Sequence, residues 1–416
     1  MATRRHDDEP ETPTSAPPPN KRCNMEPGLF DEPVLTENCG PTMRKFRNLS
    51  VKNISFAVPD GYDYEKVEYL GGGTYGNVIK TTAMCQDGFQ RTVAIKKLRE
   101  PFHDPLQARK IYREIELLQL MRHDNIICAL DVYSPNNFEQ FRDIYVVTEY
   151  AGQSLSRILK YQRDRGIEIL KSEHVKFITY QLIRALKYIH SANVIHRDLK
   201  PGNLALTDDS DLTVLDFGLA RTLENTDTTL TTYVQTRWYR SPEVIYWKFG
   251  SYSNAADMWS VGCIAAELLT GNPLFPGDDA NLQYQRITQL CGSPSVDLLE
   301  KIERDNSASM RQVIQSYKHH DRKNFTEYFA EHKPAPELID FLEKILVLDP
   351  EMRLSVEEAI VHPYLAEFAL PDDEPRAERH FDLDDSRART GQEWRKIIWD
   401  QISNFQRLDS SPKVPE

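Results

Sequence analysis

His196-Arg197-Asp198-Leu199-Lys200-Pro201-Gly202-Asn203 gathers a carboxylate, an ammonium and a carboxamide within eight residues, and Leu215-Asp216-Phe217-Gly218 adds a second carboxylate 13 positions after Asn203. Transfer of a phosphoryl group from a nucleotide needs such a set. One carboxylate aligns a hydroxyl nucleophile; a second carboxylate and an amide oxygen hold magnesium against the phosphates. Asp198 suits the first task, Asn203 and Asp216 the second, and Lys200 supplies charge at the γ-phosphate. Asp, Asn and Gly are also ordinary turn residues. Turn chemistry explains any one of them, but not the two patterns together.

The flanking segments read as elements able to hold these groups. Val51, Ile54, Phe56 and Val58 suggest strand, and Pro59-Asp60-Gly61 a turn. In Tyr69-Leu70-Gly71-Gly72-Gly73-Thr74-Tyr75-Gly76-Asn77-Val78, the glycines let a hairpin backbone lie close over phosphates, where a Cβ would obstruct. Val93-Ala94-Ile95-Lys96 is a short apolar strand ending in a lysine. Over 107–121, Ile111, Ile115, Leu118 and Met121 recur on one face, which predicts a helix. Ile144 to Glu149 predicts a strand. Two helical segments follow between Leu155 and Ala192, parted by Arg163-Asp164-Arg165-Gly166. The apolar stripe Val175, Ile178, Leu182, Leu186, Ile189 makes the second a core helix.

One further stretch, Thr231-Thr232-Tyr233 followed by Val234-Gln235-Thr236-Arg237-Trp238-Tyr239-Arg240-Ser241-Pro242-Glu243, gives the chain a resemblance. With the loop above, it resembles a mitogen-activated protein kinase, of the stress-activated, p-thirty-eight type, from about Phe46 to Phe405. The resemblance implies an α+β, two-lobed kinase fold. A kinase domain would span 64–365, with a small β-rich lobe at about 46–150 and a larger helical lobe at about 151–365. An insert near 292–336 and a C-terminal extension at 366–409 packing back on the kinase would complete it. Glu243, Asp257, Trp259, Gly262 and Arg353 match structural positions of the larger lobe, with Glu243 and Arg353 forming a buried pair.

The same resemblance assigns roles. ATP would lie under Leu70, Gly71, Gly72, Gly73, Thr74, Tyr75, Gly76, Asn77 and Val78, against Ala94, with Lys96 at its α/β-phosphates and Glu114 pairing Lys96. Thr148 would guard the pocket behind the adenine, and the backbone of Glu149 and Ala151 would bond the base. Asn203 and Asp216 would bind Mg²⁺; Asp198, Lys200, Asn203 and Thr236 would be catalytic. Thr231 and Tyr233 would be phosphorylated. Each phosphate adds about −1.5 to −2 charges, received by Arg197, Arg221, Lys110 and Arg113 for the threonine and by Arg237 and Arg240 for the tyrosine. Val234 to Arg240 would form a wall accepting proline after the target Ser/Thr. Asp208, Asp209, Asp372 and Asp373, with Ile158 and Gln162, would form a docking groove for basic-hydrophobic peptides. Three positions depart from the family: Thr232 stands where Gly, Glu or Pro is usual, Gln235 where alanine is, and Leu370 where relatives carry an acid.

Composition bounds the rest. The 416 residues suit two lobes and a tail, and 40% hydrophobic with 27% charged residues describes a soluble globular chain. A formal charge of −12 argues against direct nucleic-acid binding and favours basic partners. The six cysteines have no CxxC or Cys/His metal spacing, which points to reduced thiols. Residues 1–45 hold eight prolines and few large apolar groups, so a disordered tail is expected, as is a flexible end at 410–416. No secretory signal or membrane span is visible. The reading is a monomeric, cytoplasmic and nuclear Ser/Thr kinase using ATP and Mg²⁺. Its expected partners are an upstream dual-specificity MAP kinase kinase, protein substrates such as transcription factors and downstream kinases, and phosphatases at the docking groove. Two rivals are a pseudokinase scaffold, disfavoured because each catalytic position is filled, and a small-molecule kinase, disfavoured by the proline-accepting segment.

Overall fold

Alternating inward side chains organise the small lobe. The computed structural model describes residues 44–73, 76–84, 88–223, 237–247, 253–305, 308–385 and 387–408. The expected tail up to Met43, the end from 409, Thr74, Tyr75, and residues 224–236 with Thr231, Tyr233 and Thr236 lie outside them. Arg44, which the sequence reading put inside the tail, bonds Asp131 through both terminal guanidinium nitrogens.

A hairpin comes first: β1 (Phe46–Val51) and β2 (Ile54–Pro59), turned at Lys52 and Asn53, whose φ values are 49° and 64°. Then β3 (Glu68–Gly73), β4 (Gly76–Met84), β5 (Gln90–Leu98), β6 (Ala129–Tyr133) and β7 (Tyr145–Glu149) form an antiparallel sheet in the order β3-β4-β5-β7-β6. Ile79, Thr81 and Ala83 of β4 all point inward at period two. Tyr133 and Tyr145 stack 4.9 Å apart between hairpin and sheet.

Helix α1 (Pro105–Leu120) begins two residues before the predicted start, because Asp104 accepts the Gln107 N–H at 2.7 Å and Pro105 takes the first turn. Its buried Ile111, Ile115 and Leu118 belong to the main core.

The larger lobe runs β8 (Gln153–Ser154), α2 (Leu155–Arg165), α3 (Ser172–Ser191), β9 (Val194–Ile195), β10 (Leu204–Leu206), β11 (Leu212–Val214), β12 (Arg221–Thr222), α4 (Asn254–Thr270), α5 (Ala280–Cys291), α6 (Val296–Asp305), α7 (Ala308–Gln315), α8 (Phe325–Tyr328), α9 (Pro336–Ile345) and α10 (Val356–Ile360). α3 and α4 are buried along most of their length. Gly262 of α4 lets α9 approach: a Cβ there would stand 2.7 Å from Ile345 and 2.8 Å from Leu346. Glu243 and Arg353 form the expected buried pair, at 2.8 and 3.1 Å.

The last helix, α11 (Gly391–Ser403), packs on α1 of the small lobe. Trp394 meets Tyr112 at 5.3 Å, and Gln401 donates to Glu116 at 2.6 Å. Ile398 and Ile402 are fully buried. No helix among the described residues is long and apolar enough to cross a membrane.

Candidate active site

Between the lobes lies a cavity of about 310 Å³. Leu70, Gly73, Gly76, Val78, Ala94, Lys96, Glu114, Thr148, Glu149, Ala151, Asn203 and Asp216 line it, all expected from the sequence. Gly71, Gly72 and Asn77 are on the hairpin but not on this lining; the Asn77 amide oxygen accepts the Tyr69 hydroxyl at 3.0 Å. Leu118, Ile127, Val146, Ala205 and Leu215 also line the cavity and were missed. Only their apolar character marked them, and it marks the core equally.

Backbone dictates how closely the roof sits. Gly76 has φ 152°, and a Cβ on it would collide with the Lys97 carbonyl. β4 can therefore open beside β5 only with glycine there. The Tyr150 N–H donates to Thr92 O at 3.0 Å, carrying the β5–β7 pairing one residue into the connector between the lobes.

Lys96 comes from β5 and Glu114 from α1. Lys96 Nζ is 2.5 Å from Glu114 Oε1 and 3.9 Å from Asp216 Oδ1. Burial pushes the Glu114 carboxyl up against the pull of the Lys96 ammonium. At Asp216 burial also pushes upward, but Lys96 and the Gly218 N–H outweigh it and hold the carboxyl below its ordinary value. The lysine is thus bracketed by two acids, one of each lobe.

The catalytic loop is a short-range construction. Lys200 Nζ is 2.6 Å from Asp198 Oδ2, and the Asn203 Nδ2 donates to Asp198 O at 2.8 Å and Oδ2 at 2.9 Å. His196 Nδ1 accepts the Asp198 N–H at 3.3 Å, while its Nε2 faces Leu215 O at 3.0 Å. Leu215 N–H donates to Asn203 O at 2.8 Å, tying the loop to Asp216. Arg197 and Asp216 adopt φ values of 70° and 63°. Left-handed backbone at such residues costs about 1–3 kcal/mol each and persists where surroundings enforce it. At Arg197, Asp257 of α4 is the enforcer: it is buried and accepts the N–H groups of His196 and Arg197, each at 2.9 Å. Burial alone would raise the Asp257 carboxyl, yet His190 and His196 hold it low and ionised.

A magnesium ion fits this donor set. Asn203 spends its amide nitrogen on Asp198, so its oxygen remains for a hard cation beside the Asp216 carboxylate. Among the described residues no group of three or more His, Cys, Asp or Glu could hold a metal alone. Bound there, Mg²⁺ neutralises charge on the transferring phosphates.

The expected phosphate receivers divide. β9–β12 pairing sets Arg221 opposite Ile195, two residues from Arg197. Burial and the neighbouring Arg221 charge lower Lys110, so two cations crowd one place. The Arg113 side chain is buried and pairs with Asp385 of the extension. The sequence reading missed Asp385, whose only signal was an acid in an extension already rich in them. Arg237 Nη1 donates to Asp278 O at 3.0 Å; Arg240 is partly exposed on the same segment.

Of the docking residues, Asp208 and Asp209 are exposed on the β10–β11 turn. Gln181 Nε2 of α3 bonds Ser210 O at 2.9 Å beside them. One turn later, Arg184 holds Asp373 through Oδ1 at 3.0 Å. Glu374 is buried with Lys187 and Tyr180. Asp372 is exposed and has no ion pair among the described residues. Gln162 is partly exposed near the end of α2, and its Oε1 accepts the Ile169 and Leu170 N–H groups, holding the α2–α3 connection. Ile158 is half-buried on α2.

Two lobes closing on a cavity, a lysine braced by an α1 glutamate, and an Asp-Lys-Asn loop beside a second acid define a protein kinase. The comparisons agree. The protein kinase domain model matches residues 64–365. The chain is 67% identical over 390 residues to mitogen-activated protein kinase pmk-3 of Caenorhabditis elegans, covering 93% of this chain and 82% of that protein. It is 44% identical over 380 residues to mitogen-activated protein kinase pmk-1 of the same organism, covering 91% and 96%. With mitogen-activated protein kinase 14 of Xenopus laevis it shares 44% over 352 residues, covering 84% and 91%. The chain belongs to the mitogen-activated protein kinases, of the stress-activated, p-thirty-eight type. It is a serine/threonine protein kinase that uses ATP and Mg²⁺. Such an enzyme stands in a cascade between an upstream kinase and its own substrates.

Proposed function

We propose that this kinase phosphorylates Ser or Thr followed by Pro, once Thr231 and Tyr233 both carry phosphate. The observation that carries the reading is the convergence on one cavity of Lys96, Glu114, Asp216 and Asn203, with Asp198 bonded to Asn203. Asp198 aligns the substrate hydroxyl and takes its proton late. Lys200 lies against Asp198 and balances charge at the γ-phosphate, and Thr236 bonds the Asp198/Lys200 pair. Lys96 seats the α/β-phosphates, while Asn203 and Asp216 would hold the metal. Crowding of Lys110 and Arg221 favours an incoming phosphothreonine, since arginine forks match phosphate oxygens. Arg197 and Arg113 join them; Arg237 and Arg240 receive the phosphotyrosine.

The kinase domain occupies 64–365 with the extension at 366–409, and the enzyme works as a monomer in cytoplasm and nucleus. An upstream dual-specificity kinase, transcription factors and downstream kinases are its partners. Basic-hydrophobic docking peptides and phosphatases engage Asp208, Asp209, Asp372 and Asp373 with Ile158 and Gln162, and Leu370 weakens that contact.

The test is phosphopeptide mapping of residues 219–240 from stimulated cells, paired with kinetics of Thr231→Ala/Tyr233→Phe protein. Both residues should carry phosphate, and the variant should lose most activity; a variant as fast as wild type sinks the activation reading. In the same assay Asp372→Asn should slow docking-dependent substrates and spare a short peptide, and equal loss on both would remove the docking reading.

A further inference from the structure

Residues 237–240, the described part of the proposed proline-accepting wall, are fastened from behind. The Tyr239 side chain turns inward and is 7% exposed. Its hydroxyl donates to Glu267 Oε2 at 2.5 Å. Glu267 lies in the last turn of α4 and is 3% exposed. The other oxygen of that carboxylate accepts from Arg163 Nη1 of α2 at 3.3 Å, and Arg163 also bonds Gly271 O at 2.8 Å. Taking a carboxylate out of water costs several kcal/mol unless it is well bonded, and an apolar residue of similar size would pack there without that cost. The bond to Tyr239 is therefore what the position has to offer.

Holding Tyr239 fixes backbone that faces the substrate. Tyr239 O accepts the Ser260 hydroxyl at 2.8 Å, and Trp238 O accepts Gln283 Nε2 at 3.3 Å. The Trp238 indole N–H donates to Gly277 O at 3.2 Å. Ser260 and Gln283 are both buried, so two successive carbonyls are turned into the lobe and away from its surface. A residue following the phosphorylated hydroxyl finds no acceptor there for an N–H. Proline, which has none, loses nothing, whereas any other residue buries an unpaired donor. Tyr239 and Arg240 also share a void of about 20 Å³ with Asp198, so the wall abuts the catalytic loop directly.

We infer that Glu267 is a positioning residue for selectivity at the site after the target Ser/Thr, acting through Tyr239 and not through the reacting atoms. The inference rests on the proline-directed reading above. It predicts a change in which peptides are used, with phosphoryl transfer itself retained.

The experiment uses full-length protein, activated identically, with two peptides differing only in Ser-Pro against Ser-Ala. Wild type, Glu267→Leu and Tyr239→Phe are compared; the phenylalanine keeps the ring and guards against a variant that fails to fold. Each variant should lower the Pro/Ala ratio of kcat/KM about fivefold to tenfold, chiefly by raising KM for the proline peptide, with KM for ATP unchanged. The double variant should be no worse than either single one, since both break one bond. A ratio preserved in both single variants, with only a lower melting temperature, overturns the inference and leaves the proline-directed reading standing. A wild type indifferent to proline would overturn that reading, and the inference with it.

Discussion

The catalytic loop and the Lys96–Glu114 pair meet in one cavity but are held by different means. Asp198, Lys200, Asn203 and His196 bond one another within eight residues, and one buried acid, Asp257, clamps two successive N–H groups of the loop. Glu114 instead depends on where α1 stands. On α1's outer side stand residues more than 270 positions away: Asp385 on Arg113 and Trp394 on Tyr112. Short-range bonds make the first region a fixed unit. The second is adjustable, because its key pair joins elements whose mutual position distant contacts decide.

That contrast can be broken by substitution. Asp198→Asn removes the carboxylate from the fixed unit while keeping its shape, so kcat should fall about 10³-fold with Mg-ATP affinity retained. A comparable loss of ATP binding would mean that Asp198 shapes the nucleotide site as well. Glu114→Gln should cost less, on the order of 10²-fold, and should raise KM for ATP, because Lys96 keeps Asp216 but loses its closer partner. An unchanged KM would argue that α1 does not position the lysine.

Asp385→Asn should act mainly on stability. Both Arg113 and Asp385 are buried, and removing one charge of such a pair costs about 3–5 kcal/mol, readable as a lower urea midpoint. Activity at low temperature should drop only severalfold, through loosening of α1. Replacing both with well-packed apolar residues should recover most of the stability. If the single substitution left the midpoint untouched, the extension would not be α1's anchor.

Much of the fixed region was legible because it is contiguous. Asp198 to Asn203 sit within one turn-rich segment, and α1 was visible in the spacing of Ile111, Ile115 and Leu118. Its start was misplaced by two residues because Asp104 and Pro105 act through capping, outside the apolar repeat. Arg113 takes its phosphate role from the resemblance alone, and no local stretch of sequence shows that Asp385 lies against it. Gln162 is similar: that its amide oxygen serves two N–H groups a few residues on was not visible in the sequence.

The order of residues alone determined the chemistry, since a carboxylate, an amide and a lysine at fixed short separations have few other uses, and the glycines and apolar repeats dictated the elements around them. What folding alone decided is the choice of partners across long separations: Asp385 for Arg113, Glu267 for Tyr239, Asp257 for the loop's N–H groups. Those choices depend on which side chains are desolvated together, and desolvation is a property of the packed molecule, which no local stretch of sequence contains.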